Sequence, residues 1–293
     1  MTLPAARPRA LPAVLVTGAS TGVGRACALH LDSREFRVFA AVRRDEDADA
    51  LRAAASSRLT PLLMDVTDAE AIRSAAATVG AAAGEAGLQG LVNNAGIALG
   101  DPLEFVRLDD VRRVLEVNLV GAIAVTQAFL PHLRRGQGRV VCIGSIGGRF
   151  PAPFTGAYGA SKAALAAICD SLRVELRPWR IDVVLIEPGS VSTPIWEKGL
   201  REFDSRMPDY PPAALELYGR AIGPVRSMTE KLAAAGIPPL SVALVVEQAL
   251  RARRPRTRYL VGRDARVQAL LRHLPDRARD RLMASFMRLP KEA

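Results

Sequence analysis

Val14-Leu15-Val16-Thr17-Gly18-Ala19-Ser20-Thr21-Gly22-Val23-Gly24 joins an apolar run to a glycine-rich turn, and a helix-like stretch over 23–33 follows. The glycines let the backbone turn tightly and approach a pyrophosphate, whose charge is stabilised by free N–H groups at the helix start. The spacing is Gly-x-x-x-Gly-x-Gly rather than the commoner Gly-x-Gly-x-x-Gly. A strand before and a helix after supply the context that such a turn requires. Gly18, Ser20, Thr21, Gly22, Val23 and Gly24 are therefore candidate contacts to a dinucleotide.

Outward from this unit the same rhythm repeats. Candidate strands are 14–17, 38–42, 60–64, 90–92, 139–143, 182–186 and 259–261, each short and apolar on consecutive positions, as in strands buried on both faces. Helix candidates lie near 23–33, 69–84, 109–134 and 157–177. The alternation predicts an α/β fold: one Rossmann-type, doubly wound parallel sheet of about seven strands flanked by helices. The organisation expected is an N-terminal lead over 1–13, a Rossmann-type domain over 14–262 that includes 189–240, and a basic amphipathic pair of helices over 263–293.

The second strand bears on which nucleotide is bound. It ends Ala40-Ala41-Val42-Arg43-Arg44, with no carboxylate before Asp45 to receive ribose hydroxyls. Two guanidiniums suit a 2′-phosphate through charge-assisted, bidentate bonds. NADP(H) is expected over NAD(H), the alternative being that Arg43 and Arg44 only solvate a loop.

Tyr158 and Lys162 stand four apart in Tyr158-Gly159-Ala160-Ser161-Lys162, with Ser145 and Asn118 upstream. Residues so spaced share one helix face. A cation beside a phenol favours the phenolate and draws its pKa down toward neutral pH. Lysine occurs only at 162, 198, 231 and 291, in a chain that writes nearly all its cations as arginine. The pair is a candidate proton-transfer unit.

Charge is unevenly placed. Of a net +10, residues 251–293 hold thirteen Arg/Lys against Asp264, Asp276, Asp280 and Glu292, so the body is nearly neutral. Phe286 is the single aromatic beyond Tyr259, and no nucleic-acid-binding motif is present, so a nucleic-acid partner is not expected. Cys27, Cys142 and Cys169 are odd in number and in apolar settings, which suits a reducing compartment. The proline-broken start has no signal-like apolar run, and no continuous apolar stretch of about 18 residues appears. A cytoplasmic location is the expectation, and no metal-ligand cluster stands out.

The glycine turn, Asn93-Asn94-Ala95-Gly96, Asn118, Ser145, Tyr158 and Lys162 together resemble the short-chain dehydrogenase/reductase family, over about 14–193. The resemblance implies that Tyr158 transfers a proton to or from the substrate oxygen and that Ser145 orients that oxygen. It implies that Lys162 lowers the tyrosine pKa and bonds the nicotinamide ribose, while Asn118 holds a water linking Lys162 to solvent. By the same resemblance Asp65-Val66 meets the adenine. Asn93, Ala95 and Gly96 steady the sheet and line the cofactor, and Pro188, Gly189, Val191 and Thr193 hold the nicotinamide carboxamide. Thr21 departs from the basic residue of many NADP-preferring relatives, leaving the phosphate to Arg43 and Arg44. A homodimer or homotetramer built around 109–134 and 157–177 is implied.

Glu175-Leu176-Arg177-Pro178-Trp179, Ile186-Glu187-Pro188-Gly189 and Arg258-Tyr259-Leu260-Val261-Gly262 look like the retinol- and hydroxysteroid-dehydrogenase-like branch, implying a small-molecule, bulky and apolar alcohol or ketone. Phe150, Pro151, Pro153 and Phe154 could wall its pocket together with 189–240, or serve as core. That segment holds seven prolines and reads as a lid or substrate loop, the alternative being a helical subunit contact. In the tail, Val267, Leu270, Leu271 and Leu274 recur at helix spacing, as do Leu282, Met283, Phe286, Met287 and Leu289, opposite Arg277, Arg281 and Arg288. Packing of this stripe on the domain is expected over peripheral membrane contact through 264–290. The functional alternatives are an NAD-dependent alcohol dehydrogenase of the same fold and a non-catalytic nucleotide sensor.

Overall fold

The computed structural model describes residues 11–289. Seven strands, β1 (Ala13–Val16), β2 (Arg37–Val42), β3 (Leu59–Leu63), β4 (Gly90–Asn93), β5 (Arg139–Ile143), β6 (Asp182–Pro188) and β7 (Arg258–Val261), form one sheet in the order β3-β2-β1-β4-β5-β6-β7. Every pairing is parallel. The order reverses between β1 and β4, and in such sheets ligands bind beyond the carboxyl ends of the strands at that point. The lead over 1–13 falls mostly outside the described residues.

Alternation along each strand divides the apolar side chains between two cores. Val14 and Val16 face α1 (Gly22–Ser33) and a helix over Pro239–Arg251; Ala13 and Leu15 face the opposite layer. That layer is built from α3 (Ala69–Ala83), α5 (Gly121–Gly136) and α6 (Gly156–Glu175), with Val79, Val125, Phe129 and Leu133 fully buried. Truncating Phe129 to Ala costs about 3–5 kcal/mol at such a site. The helical run 108–136, α4 (Leu108–Leu115) continuing through a wide π-type turn at 116–120 into α5, is long and apolar enough by composition to cross a membrane. Here its inner face packs on the sheet through Val125, Phe129 and Leu133.

Strand positions agree with the sequence reading to within a residue or two. The helices expected near 23–33, 69–84, 109–134 and 157–177 agree equally well, and the structure adds others. Asp45–Ala54 forms α2, which the sequence reading left unassigned, and 189–240 is mostly helical: α7 (Ile195–Arg206), α8 (Pro212–Ala234) and the start of α9 (Pro239–Arg251). The prolines misled because proline is favoured at helix starts, where its missing N–H is not needed. Pro194, Pro211 and Pro238 precede these helices, Pro212 and Pro239 begin them, and only Pro224 lies in a helix interior. α9 is a core helix packed on α1 rather than part of a substrate loop.

The C-terminal stripe also departs from expectation. α10 (Arg263–Leu271) and α11 (Asp276–Phe286) leave Val267, Leu270, Leu274, Leu282 and Phe286 exposed, with Met287 the buried member. The domain surface does not cover most of the stripe, because only Ala265 of α10 reaches the core.

Candidate active site

The candidate residues gather beyond the carboxyl edge of the central strands. Gly18 and Gly22 adopt φ of +63° and +56°, a region that side chains rarely tolerate. Gly24 packs so tightly that an added Cβ would overlap the Gly18 carbonyl. Thr21 precedes α1 and offers it no side-chain cap, so the first N–H groups of that helix remain available to an anion. A Cβ on Gly22 would lie 3.2 Å from Thr193, which closes the far side of the same cradle. The turn and the segment after β6 thus face each other at the carboxyl edge of the sheet, where an anion would meet the free N–H groups of α1.

Two residues absent from the candidate set hold this turn. Thr17 Oγ1 accepts N–H bonds from Asn94 and Ala95, both 3.0 Å, and the Asn94 carboxamide donates to the carbonyls of Thr17 (2.9 Å) and Gly18 (3.1 Å). A buried threonine at a strand end beside a glycine turn was the available signal. Asn93, by contrast, points into the opposite core and donates to Thr126 Oγ1 at 2.8 Å. Its side chain steadies the sheet; Ala95 and Gly96 continue toward that edge.

The adenine end is less simply arranged than the sequence implies. Arg44 is engaged by Asp47, donating at 3.0 and 3.2 Å as α2 begins, which directs its guanidinium along the helix rather than into the cleft. Arg43 is exposed and stands 3.9 Å from Asp65, whose other oxygen accepts bonds from Thr67. Val66 is buried against Gly121. Of the two arginines, only Arg43 faces the adenine side with its donors uncommitted to a close carboxylate.

Tyr158 and Lys162 lie one turn apart on α6, as their spacing requires. Ser145 leads from β5 into a short turn, where its Oγ accepts the Gly147 N–H at 3.1 Å. A Cβ on Gly147 would touch both Ser145 Oγ and the Tyr158 ring, so the two side chains border the same small space. Lys162 Nζ donates to the Ile143 carbonyl at 2.9 Å and is 5.9 Å from the Tyr158 ring centroid. Burial pushes the ammonium down to about 8. Burial also raises the Tyr158 phenol, and the neighbouring Ser145 hydroxyl lowers it in part. The expected lowering by Lys162 is therefore not what the fold alone does, because the ammonium is turned to a carbonyl and desolvation dominates.

Asn118 is placed by the π-type turn, a distortion frequent at functional sites. Its carboxamide accepts from the Ile97 N–H (2.8 Å) and donates to the Ile97 carbonyl and Ser161 Oγ, both 2.9 Å. Ser161, fully buried, in turn donates to the Tyr158 carbonyl at 2.7 Å. Asn118 thus splices the loop after β4 to α6. A Cβ on Gly96 would meet both Asn118 Oδ1 and Lys162 Nζ, which places these groups around one glycine.

The segment after β6 is fastened from the C-terminal side. Gly189 N–H donates to Val261 O at 2.9 Å, Ser190 N–H to Asp264 Oδ2 at 2.6 Å, and Val191 bridges Ile237. Pro188 and Val191 are buried within it. The helices beyond it reach over the cleft. Arg206 approaches Asp101 at 2.7 Å, Tyr210 donates to Asp101, and Tyr218 donates to Glu104 at 2.8 Å. Tyr218 also meets Phe105 and Phe154 edge-on, with centroids 5.8 and 6.0 Å apart. Phe154 so forms part of an aromatic wall, whereas Phe150 is core. A hydroxyl, a phenol and an ammonium gathered beyond the same strand ends can move a proton at a substrate oxygen while a hydride is exchanged beside it.

Comparison with known proteins agrees with this geometry. The short chain dehydrogenase family model matches residues 12–202. Human retinol dehydrogenase 5 is 39% identical over 290 residues, covering 96% of this chain and 90% of that protein. Mouse estradiol 17-beta-dehydrogenase 2 is 37% identical over 264 residues, covering 86% and 68%. A solved short chain dehydrogenase from Burkholderia cenocepacia, in complex with NADP, superposes with a TM-score of 0.71 at 25% identity, covering 94% of this chain and 97% of that one. Sheet order, the glycine turn and likeness along nearly the whole length point one way: the chain belongs to the short-chain dehydrogenase family and is an oxidoreductase.

Proposed function

We propose that the protein is an NADP(H)-preferring enzyme interconverting a bulky, apolar secondary alcohol and its ketone. The observation carrying this reading is the convergence of Ser145, Tyr158 and Lys162 at the strand ends where the glycine turn faces Thr193. Bound there, the nicotinamide supplies or accepts the hydride. Tyr158 Oη gives a proton to the substrate oxygen in reduction and takes it in oxidation. Ser145 Oγ donates a hydrogen bond to that oxygen and orients it. Lys162, once turned from the Ile143 carbonyl toward the cofactor ribose, would bring the cation that lowers the phenol pKa. Asn118 fixes the backbone around Ile97 and α6 so that these groups stay aligned.

A bulky substrate is supported by the names of the relatives, which act on retinol and estradiol, and by the Phe105–Phe154–Tyr218 wall. The engagement of Arg44 by Asp47 favours keeping an NAD-linked enzyme as the second reading. A homodimer or homotetramer is supported by the exposed Leu108, Val120 and Val174 on α4, the π-type turn and α6. The deciding experiment follows NADPH and NADH absorbance against retinoid, steroid, 3-oxoacyl and small ketones. Turnover of a retinoid or steroid with NADPH, abolished in Tyr158→Phe, supports the proposal; turnover of small ketones alone, or equal use of NADH, overturns the corresponding half.

A further inference from the structure

Glu187 is a buried carboxylate, 1% exposed, that the proton chemistry does not use. It lies on β6 one residue before Pro188, so its backbone leads directly into the segment that faces the nicotinamide. Its side chain turns the other way. Arg149 Nε donates to Oε1 at 2.7 Å and Arg149 Nη2 to Oε2 at 2.6 Å, a parallel bidentate pair. Arg149 closes the short turn that begins at Ser145. A Cβ on Gly144 would lie 3.4 Å from Glu187 Cγ, so the stem of the carboxylate runs beneath the backbone that presents Ser145.

A third group completes the cluster: Arg258 on β7 reaches Glu187 Oε1 at 3.4 Å and Asp170 on α6 at 2.6 Å. Apolar packing could hold these elements together without the desolvation cost of a buried ion pair. What a bidentate pair adds is direction, since the planar guanidinium fixes both the distance and the plane of its partner.

We propose that Arg149 and Glu187 form a positioning clamp that sets the Ser145 turn against the Pro188–Thr193 segment, and so fixes Ser145 Oγ relative to Tyr158. The clamp rests on the roles given above to Ser145 and Tyr158. Its consequence is specific. The Ser145 hydroxyl borders the same small space as the Tyr158 ring and offsets part of the effect of burial on the phenol. Loosening the turn carries that hydroxyl away from the phenol, so Tyr158 ionises at higher pH. The groups facing Glu187 are Arg149 and Arg258, with Asp170 behind the latter; those facing Tyr158 are Ser145 and Lys162.

The test is NMR titration of the full-length protein carrying 13Cζ-tyrosine, with NADP+ bound. The chain has four tyrosines, so Tyr158→Phe assigns the resonance and the other three report whether the fold persists. Glu187→Gln and Arg149→Lys are each expected to raise the Tyr158 midpoint by about 0.5–1 pH unit. Ser145→Ala is expected to raise it similarly, and adding Glu187→Gln to Ser145→Ala to raise it no further. A midpoint unchanged in both clamp variants, or fully additive shifts with Ser145→Ala, overturns the clamp. Should Glu187→Gln fail to fold, Arg149→Lys, which keeps the charge and loses the bidentate geometry, carries the same readout. Turnover retained by Tyr158→Phe sinks the proposed function instead, so the two failures are distinguishable.

Discussion

Lys162 Nζ stands 5.9 Å from the ring of Tyr158 and donates to the Ile143 carbonyl, so the fold holds a buried ammonium close to, but not on, the phenol. The arrangement has a stability cost with a definite sign. Burial takes Lys162 from 10.5 to about 8. Below about 8 the group is charged in both folded and unfolded chains and the full penalty applies; between about 8 and 10.5 only the unfolded chain keeps the proton, so stability rises with pH. The gap corresponds to about 3 kcal/mol, less about 1 kcal/mol for the lost bond to Ile143 in a variant. Lys162→Met is expected to be about 2 kcal/mol more stable than the native chain at neutral pH without cofactor, an advantage that fades as the solution approaches the unfolded pKa. Thermal unfolding across pH, alongside a turnover assay that should read zero, checks both halves.

Tyr158→Phe and Ser145→Ala should separate binding from chemistry. Positioned proton transfer contributes about 10²–10⁴-fold, so Tyr158→Phe is expected to lose about that much in kcat. Ser145→Ala should lose less, because the phenol remains. Quenching of protein fluorescence by NADPH should give nearly the same Kd for both variants and the native enzyme. A Kd weakened in parallel with kcat would place these side chains in cofactor binding instead.

Arg43 is expected to carry the coenzyme preference alone. Arg43→Ala should raise the KM for NADPH by about 10- to 100-fold, the range of a lost charge-assisted contact, and leave that for NADH within about two-fold. Arg44→Ala should do little, because its guanidinium is already engaged by Asp47. Equal effects of the two substitutions would mean that Arg44 leaves Asp47 when the nucleotide binds.

Local chemistry made part of this site legible in the sequence. Tyr158 and Lys162 share a face because α6 is regular there, and the glycine turn lies where an apolar strand meets a helix. What depended on long-range contacts was hidden. Arg149 and Glu187 are 38 residues apart, and Asp264 and Ser190 are 74 apart. No periodicity links such pairs; only the parallel sheet brings them together. The 189–240 segment was obscured differently, since its prolines mark helix starts and imitate the composition of a loop.

Gly22→Ala is expected to impair the cradle rather than the core. Its φ of +56° strains any side chain, and the new methyl would press on Thr193 at 3.2 Å. The strain costs about 1–2 kcal/mol, and the methyl intrudes where the pyrophosphate approaches the N–H groups of α1. NADPH affinity should fall by at least about ten-fold while the thermal midpoint drops modestly. Native NADPH affinity in Gly22→Ala would show that the cradle tolerates the methyl.

The helices over the cleft are held by a charge pair whose removal should be felt there first. Arg206 and Asp101 lie 2.7 Å apart and both are largely buried. Yet the guanidinium N–H groups are poorly aligned with the carboxylate, leaving Arg206 Nε and Nη2 and Asp101 Oδ2 without a well-directed hydrogen bond. Burial raises the Asp101 carboxyl despite the arginine, so the pair is under tension between desolvation and attraction. Asp101→Asn removes the close partner of a buried arginine and leaves it only Glu202 at 3.8 Å, a change that costs up to about 3–5 kcal/mol. Because the pair ties α7 to the loop after β4, the expected outcome is faster tryptic cleavage within 195–234 and a raised KM for bulky substrates, with NADPH affinity unchanged. An all-apolar replacement, Asp101→Leu with Arg206→Met and Tyr210→Phe, removes the desolvation cost along with the attraction and should restore protease resistance. If Asp101→Asn is cleaved no faster than the native chain, the aromatic contacts of Tyr218 with Phe105 and Phe154 hold these helices unaided.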